Sequence, residues 1–145
     1  MKDFAPRDPD FERRVRESFA RQRAMETFGA GLLRVAPGAV EIGFEFREEF
    51  TQQHGYLHAG VVTALVDTAC GYAALSLTEP GTEVLSVEFK LNLLSPAAGR
   101  NFVARARVVR AGRNLTVCAG DLYALKDDGE KIVATMLATM MSMRG

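Results

Sequence analysis

Between Thr51 and Thr78 the chain carries one formally charged side chain, Asp67, set in the middle of the run AGVVTALVDTACGYAALSL that begins at Ala59. The length of this run, its Ala and Leu content and the stop signal Thr78-Glu79-Pro80-Gly81 predict a helix over Ala59–Leu77. Apolar residues occupy every side of it: Val61, Val62, Leu65, Val66, Ala69, Cys70, Ala73 and Leu75 surround the axis. Such a helix must be covered on most sides, so it is central to the fold. A carboxylate placed there either finds hydrogen-bond partners or performs chemistry, because an unpaired buried charge costs several kcal/mol, roughly. A membrane span needs about 20 apolar residues, and this segment is shorter and charged near its midpoint.

The remaining sequence must supply the cover. With 145 residues, 48% hydrophobic and 25% charged, the chain suits one globular core, a single domain over residues 1–145. Eighteen basic residues balance eighteen acidic ones, so no polyanionic partner such as nucleic acid is expected and any anion site must be local. The first residues, MKDFAPRDPDFERR, have no apolar core of a signal peptide and too many acids for a transit peptide, which predicts a cytoplasmic protein. Cys70 and Cys118 have neither metal nor redox spacing and read as reduced core residues.

Phe11, Val15 and Phe19 at four-residue spacing predict an amphipathic N-terminal helix over about residues 10–28. Val40, Ile42, Phe44 and Phe46 alternate with Glu41, Gly43, Glu45 and Arg47, as in a half-buried strand. Four further strands are predicted, Glu83–Leu94, Asn101–Arg110, Leu115–Lys126 and Lys131–Met143, meandering through hairpin-type connections. The class is therefore α+β, with a curved five-stranded antiparallel sheet wrapped around the central buried helix. One sheet leaves apolar helix surface and an unpaired edge, which predicts a twofold homodimer. The methionines of the last strand, Met136, Met140, Met141 and Met143, are assigned to the core.

The segment HGYLHAGVVTALVDTACGYAA resembles the signature of hotdog-fold acyl-CoA thioesterases of the phenylacetate-degradation (PaaI-like) group, a G-x-L-H-G-G motif with an Asp on the helix that follows. Gly55, Leu57, His58, Ala59, Gly60 and Asp67 carry the match, and SVEFKLNLLSPAAG resembles the group's next strand and Ser-Pro bend. Two positions depart from the pattern: Gln52 stands where many members have Asn, and Ala59 replaces the first Gly of the His-Gly-Gly triplet. The resemblance implies the hotdog fold, hydrolysis of an acyl-CoA thioester without metal or added cofactor, active sites at a subunit interface, and dimers that pair again. It assigns Asp67 the role of general base or nucleophile, His58 the ordering of the turn before the helix, and Ser86 assistance to the attacking water. Gln52 would orient water or substrate. It also places coenzyme A at the hairpin Arg110-Ala111-Gly112-Arg113-Asn114, where guanidiniums and amides suit phosphates.

Thioester hydrolysis needs a stabilised oxyanion and an activated water or nucleophile. Backbone amides at the start of the central helix, near Gly60, are expected to point outward unpaired with the positive end of the helix dipole behind them. Asp67 can then act on water or attack directly, and the residues leave both routes open. Seven residues along a helix separate Gly60 from Asp67 by roughly 10 Å, whereas both must lie about 3 Å from one reacting centre. One subunit cannot supply both, so the pairing of Gly60 from one chain with Asp67 from another is predicted. Two other activities fit the same fold: a hydratase or dehydratase, which would depend on His58 because His54 is the one other histidine, and a non-catalytic acyl-CoA-binding protein.

Overall fold

The structure, a computed structural model, describes residues 3–144. The N-terminal helical pattern is realised as two helices rather than one, α1 (Phe11–Ala20) and α2 (Arg23–Phe28). On one straight helix Val15 and Met25 would point about 80° apart. The break at Arg21 and Gln22, the latter extended at φ −82° and ψ 99°, lets both be buried, at 0% and 1% exposure.

A strand absent from the sequence-based expectation follows, β1 (Gly31–Ala36), so the sheet has six strands and not five. It pairs antiparallel with β2 (Ala39–Glu45) across the Pro37-Gly38 turn, and a register shift between Leu32 and Arg34 destroys the alternation that would have revealed it. The other strands are β3 (Thr82–Leu93), β4 (Asn101–Ala111), β5 (Leu115–Lys126) and β6 (Gly129–Arg144). Their spatial order, β1-β2-β4-β5-β6-β3, corrects the expected run of four meandering strands. Only β4, β5 and β6 meander; β3 lies at the far edge against β6, so the chain crosses the sheet between β3 and β4.

The central helix α3 (Ala59–Leu75) lies against this sheet, packing on β2 to β6. Gly120 on β5 permits the approach, because a Cβ there would stand 2.8 Å from Val66 and 2.9 Å from the Cys70 sulfur. Val61, Val62, Leu65, Val66, Ala69, Cys70 and Ala73 are buried, while Thr63, Ala64, Asp67, Thr68 and Gly71 form one incompletely covered stripe. Arg14 of α1 closes the far end, donating to the carbonyls of Leu75, Thr78, Glu79 and Thr82. Its Nε lies 3.0 Å from the Asp8 carboxylate, an ion pair without hydrogen-bond alignment.

Along β3 the side chains are exposed on both faces, with Leu85, Val87, Phe89 and Leu93 each 45–55% accessible. Met136 and Met140 enter the core, whereas Met143 stays exposed. No helix among the described residues is long and apolar enough to cross a membrane.

Candidate active site

Asp67 sits on the uncovered stripe of α3 and is half-buried rather than enclosed. The Ser86 hydroxyl of β3 donates to its Oδ1 at 2.7 Å, and the same hydroxyl lies 3.2 Å from the Met140 sulfur. The threonines beside Asp67 are engaged elsewhere: Thr63 donates to the Ala59 carbonyl at 2.7 Å and Thr68 to Gln22 Oε1 at 3.3 Å. Ser86 is thus the one donor to this carboxylate among the described residues. A register shift between Ser86 and Glu88 interrupts β3 directly after this contact, as bulges do where a side chain must be aimed.

The carboxylate opens into a cleft of about 270 Å³ whose walls include Ser18, Gln22, Tyr72, Val84 and Leu85. The Tyr72 hydroxyl lies 3.2 Å from Ser18 Oγ and accepts from Gln22 Nε2 at 3.3 Å. No sequence signal marks Ser18 and Gln22, because the residues they meet lie roughly 50 positions away.

At the other end of the helix, His58 is the N-cap, with φ −61° and ψ 140°. Its Nδ1 accepts the Gly60 N–H at 2.8 Å, while its carbonyl accepts from Val61 and Val62 at 2.9 and 3.2 Å. An Nδ1 that accepts places the proton of a neutral imidazole on Nε2. The expectation of an unpaired amide at Gly60 is therefore corrected: that donor is taken by the cap. Among the described residues the first-turn amide without an acceptor is that of Ala59. Glycine at 60 serves the cap, since a Cβ would stand 3.0 Å from His58 Nδ1 and 3.4 Å from Cε1.

Gln52 organises the loop before the helix. Its Oε1 accepts from the amides of His54 at 2.6 Å and Tyr56 at 3.3 Å, around Gly55 at φ 82°. His54 itself is exposed. Gln52, Tyr56, His58 and Ala59 line a second cleft, of about 480 Å³, together with Leu93 and Leu94. The Asp67 and His58 clefts share no lining residue and lie at opposite ends of β3.

At the β4–β5 hairpin, Gly112 N–H donates to the Leu115 carbonyl at 2.8 Å, and a Cβ at 112 would meet that oxygen at 2.5 Å. The Asn114 carbonyl accepts from Ser142, and Arg144 donates to the Arg113 carbonyl at 3.1 Å. A register shift between Val108 and Arg110 pairs Arg110 with Val117 on the outer face, while Ala111 and Thr116 turn inward. Gly112 and Arg113 line a cavity of about 230 Å³; Arg110 and Asn114 do not.

Burial raises the thiol pKa of Cys118 to about 12, and burial beside Cys118 raises that of Cys70 further, so neither is poised as a nucleophile. No three His, Cys, Asp or Glu side chains among the described residues are grouped to hold a metal ion.

Residues 54–131 match the family model of the Thioesterase superfamily. The solved structure of a thioesterase family protein from Silicibacter pomeroyi superposes with a TM-score of 0.91 at 50% identity, covering 93% of this chain and 99% of that one. Human acyl-coenzyme A thioesterase 13 is 36% identical over 92 residues, which is 63% of this chain and 65% of that protein, so the match spans just under two thirds of that relative. The E. coli PaaI protein from the phenylacetic acid degradation operon shares the fold, with a TM-score of 0.84 at 19% identity over 94% of this chain and 95% of that one.

Proposed function

The chain belongs to the thioesterase superfamily on a hotdog fold, and from that premise we propose that it hydrolyses an acyl-CoA thioester to a carboxylic acid and coenzyme A. The observation that carries the reading is the Asp67 carboxylate, aligned by Ser86 at 2.7 Å and facing an open cleft beside an unpaired strand edge. In the general-base route Asp67 takes a proton from water as the water oxygen bonds to the thioester carbon. The tetrahedral oxyanion collapses, the C–S bond breaks, and the departing thiolate recovers the proton. In the nucleophilic route Asp67 bonds to the carbonyl carbon, expels the thiolate, and water then cleaves the anhydride. Single-turnover hydrolysis in ¹⁸O-water identifies the second route when water attacks the Asp67 carboxyl carbon of the anhydride, since the first product then carries an oxygen of Asp67 and the label enters the protein.

The oxyanion donor is assigned to the Ala59 N–H, which has no acceptor among the described residues and carries the positive end of the helix dipole. It belongs to a different cleft from Asp67 on the same chain, so the reading joins two subunits. Antiparallel pairing of β3 with its copy about an axis between Phe89 and Lys90 sets Ser86 opposite Leu93, because 86 and 93 sum to the same value as 89 and 90. Leu93 lines the His58 cleft, so this pairing brings one subunit's Asp67 cleft to the other's helix N-terminus. The exposed Leu85, Val87 and Phe89 are then covered, and further pairing of dimers is assigned to the outer sheet face. The nucleotide end of the substrate is assigned to the hairpin turn at Gly112–Asn114.

A hydratase reading has less support, because His58 Nδ1 is committed to capping the helix. Binding without turnover is separated by assay. Asp67→Asn keeps the size of the side chain and an acceptor for Ser86 while removing the base, and should lower kcat for thiol release from acyl-CoA by on the order of 10²- to 10⁴-fold. Wild-type kcat in this variant overturns the assignment of Asp67. Binding of acyl-CoA by the native protein, without turnover of any member of an acyl panel, favours the non-catalytic reading.

A further inference from the structure

Gln22 is the N-cap of α2, a position that favours Ser, Thr, Asp or Asn because their short side chains reach the free amides of the first turn. The Gln22 side chain caps nothing there. It turns instead to α3, where its Oε1 accepts from Thr68 Oγ1 at 3.3 Å and its Nε2 donates to the Tyr72 hydroxyl at 3.3 Å. Ser18, near the end of α1, has its Oγ 3.2 Å from that hydroxyl, and the two share one hydrogen. A carboxamide carries two N–H groups and each hydroxyl one O–H. One amide proton of Gln22 and one hydroxyl proton of the Ser18–Tyr72 pair therefore have no acceptor among the described residues.

All four residues line the cleft that Asp67 faces. Along α3, Thr68 and Tyr72 form a stripe beside that of Asp67 and Gly71. Tyr72 lies five residues beyond Asp67, roughly 7.5 Å along the axis, which an extended chain spans in about six single bonds. Gly71 keeps the floor between them low, since a Cβ there would meet nothing within 4 Å. A helix interior disfavours glycine, and no close contact among the described residues calls for it here. Val84 and Met140 supply apolar wall opposite. The charged groups of the lining are two carboxylates, Asp67 and Glu83, with no Lys or Arg among the described residues. An acyl chain whose thioester carbon reaches Asp67 thus runs over Gly71 and ends among hydrogen-bond donors in a field of negative sign.

We propose that Gln22, Tyr72 and Ser18 determine acyl specificity. The cleft takes a compact acyl group with a neutral oxygen acceptor about six bonds from the thioester carbon, in preference to one ending in hydrocarbon or in a carboxylate. The assignment rests on the acyl-CoA reading of the Asp67 cleft. A hydrocarbon end strips water from the spare donors and replaces none of its hydrogen bonds, and a carboxylate end is repelled by Asp67 and Glu83. Ser18 and Gln22 lie outside residues 54–131, so the preference belongs to the N-terminal helices of this chain and not to the matched family segment.

Three acyl-CoA thioesters of nearly one shape test the proposal: 6-oxoheptanoyl, 6-methylheptanoyl and adipoyl, which end in a ketone, a branched alkyl group and a carboxylate. Thiol release by the native protein should favour the ketone over the alkyl thioester about fivefold to tenfold in kcat/KM, the contribution of one neutral hydrogen bond. Adipoyl-CoA should fall below both, by a margin that narrows as salt is raised. Gln22→Met and Tyr72→Phe should each bring the ketone-to-alkyl ratio to within about twofold of unity. Gln22→Ser should do the same at a melting temperature equal to or above the native one, because serine is the better N-cap and too short to reach Tyr72. The ratio does not depend on how much protein is folded, so a merely structural role leaves it unchanged.

Equal kcat/KM for the ketone and alkyl thioesters in the native protein overturns the proposal. A ketone preference that persists in Gln22→Met and Tyr72→Phe does so too, as does adipoyl-CoA turned over as fast as the ketone. The thioesterase reading fails separately, when the native protein hydrolyses none of the three. Equilibrium binding of the same thioesters then decides: a ketone preference in affinity that Gln22→Met abolishes keeps the specificity of the cleft and loses the activity, and no preference overturns both.

Discussion

Replacing Ala59 by Pro deletes a single hydrogen-bond donor from the proposed site while leaving the rest of the helix start in place. Ala59 is the first residue of α3, where an amide has no intrahelical acceptor, so the missing N–H of Pro breaks no backbone bond. The residue before a proline is driven to extended backbone, and His58 is already there, at φ −61° and ψ 140°. The His58 Nδ1 cap on the Gly60 amide, at 2.8 Å, is untouched. The expected cost in stability is therefore under about 1 kcal/mol, which for a chain of this size moves the melting temperature by roughly 2–4 °C. Loss of one oxyanion donor, by contrast, lowers kcat about 10²- to 10³-fold, some 2.7–4 kcal/mol of transition-state stabilisation. Steady-state thiol release together with thermal unfolding separates the two quantities, and KM should move much less than kcat.

The same variant tests the two-subunit site. Mixed with Asp67→Asn in a purified heterodimer, it leaves one site with both groups intact and one with neither, so about half of the wild-type activity per dimer should return for independent sites. A folded Ala59→Pro protein with kcat within about threefold of wild type refutes the assignment of the donor. A native-like heterodimer with no recovered activity refutes the sharing of the site between chains.

Gly112→Ala should destabilise the protein by about 1–3 kcal/mol, because the new methyl would sit 2.5 Å from the Leu115 carbonyl oxygen, a backbone atom that cannot rotate away; an unchanged melting temperature would show that the hairpin yields. Cys70 and Cys118 should resist a disulfide reagent at pH 8 in the native protein, since burial raises both thiol pKa values, that of Cys118 to about 12, and the reactive thiolate stays scarce until the chain unfolds. Prompt reaction of either thiol in the folded state contradicts this.

Much of the frame was legible because it is written in local periodicity. The all-round apolar run from Ala59 gave α3, and the two-residue alternation of Leu115–Lys126 gave β5 with the bounds it has in the structure. The three remaining long strands were placed to within two residues. β1 was hidden because the shift between Leu32 and Arg34 leaves six residues with no steady alternation. The break in the N-terminal helix was hidden because its cause is the simultaneous burial of Val15 and Met25, a demand of the core and not of residues 21 and 22.

The site divides the same way. A lone carboxylate in an apolar helix singled out Asp67 without any structure, and helix geometry alone sets it roughly two turns from the start of α3. Which hydroxyl aligns that carboxylate, which first-turn amide remains open and which hairpin arginine faces the cavity were decided by tertiary structure alone. Ser86 reaches Asp67 because β3 crosses α3 at that point, the His58 ring takes the Gly60 amide and leaves that of Ala59, and one bulge in β4 turns Arg110 outward. A sequence specifies which faces a segment must bury, because burial follows from the spacing of apolar side chains along one element. The meeting of two polar groups depends on where separate elements stop, shift register and cross, and those are fixed only when the whole core has packed.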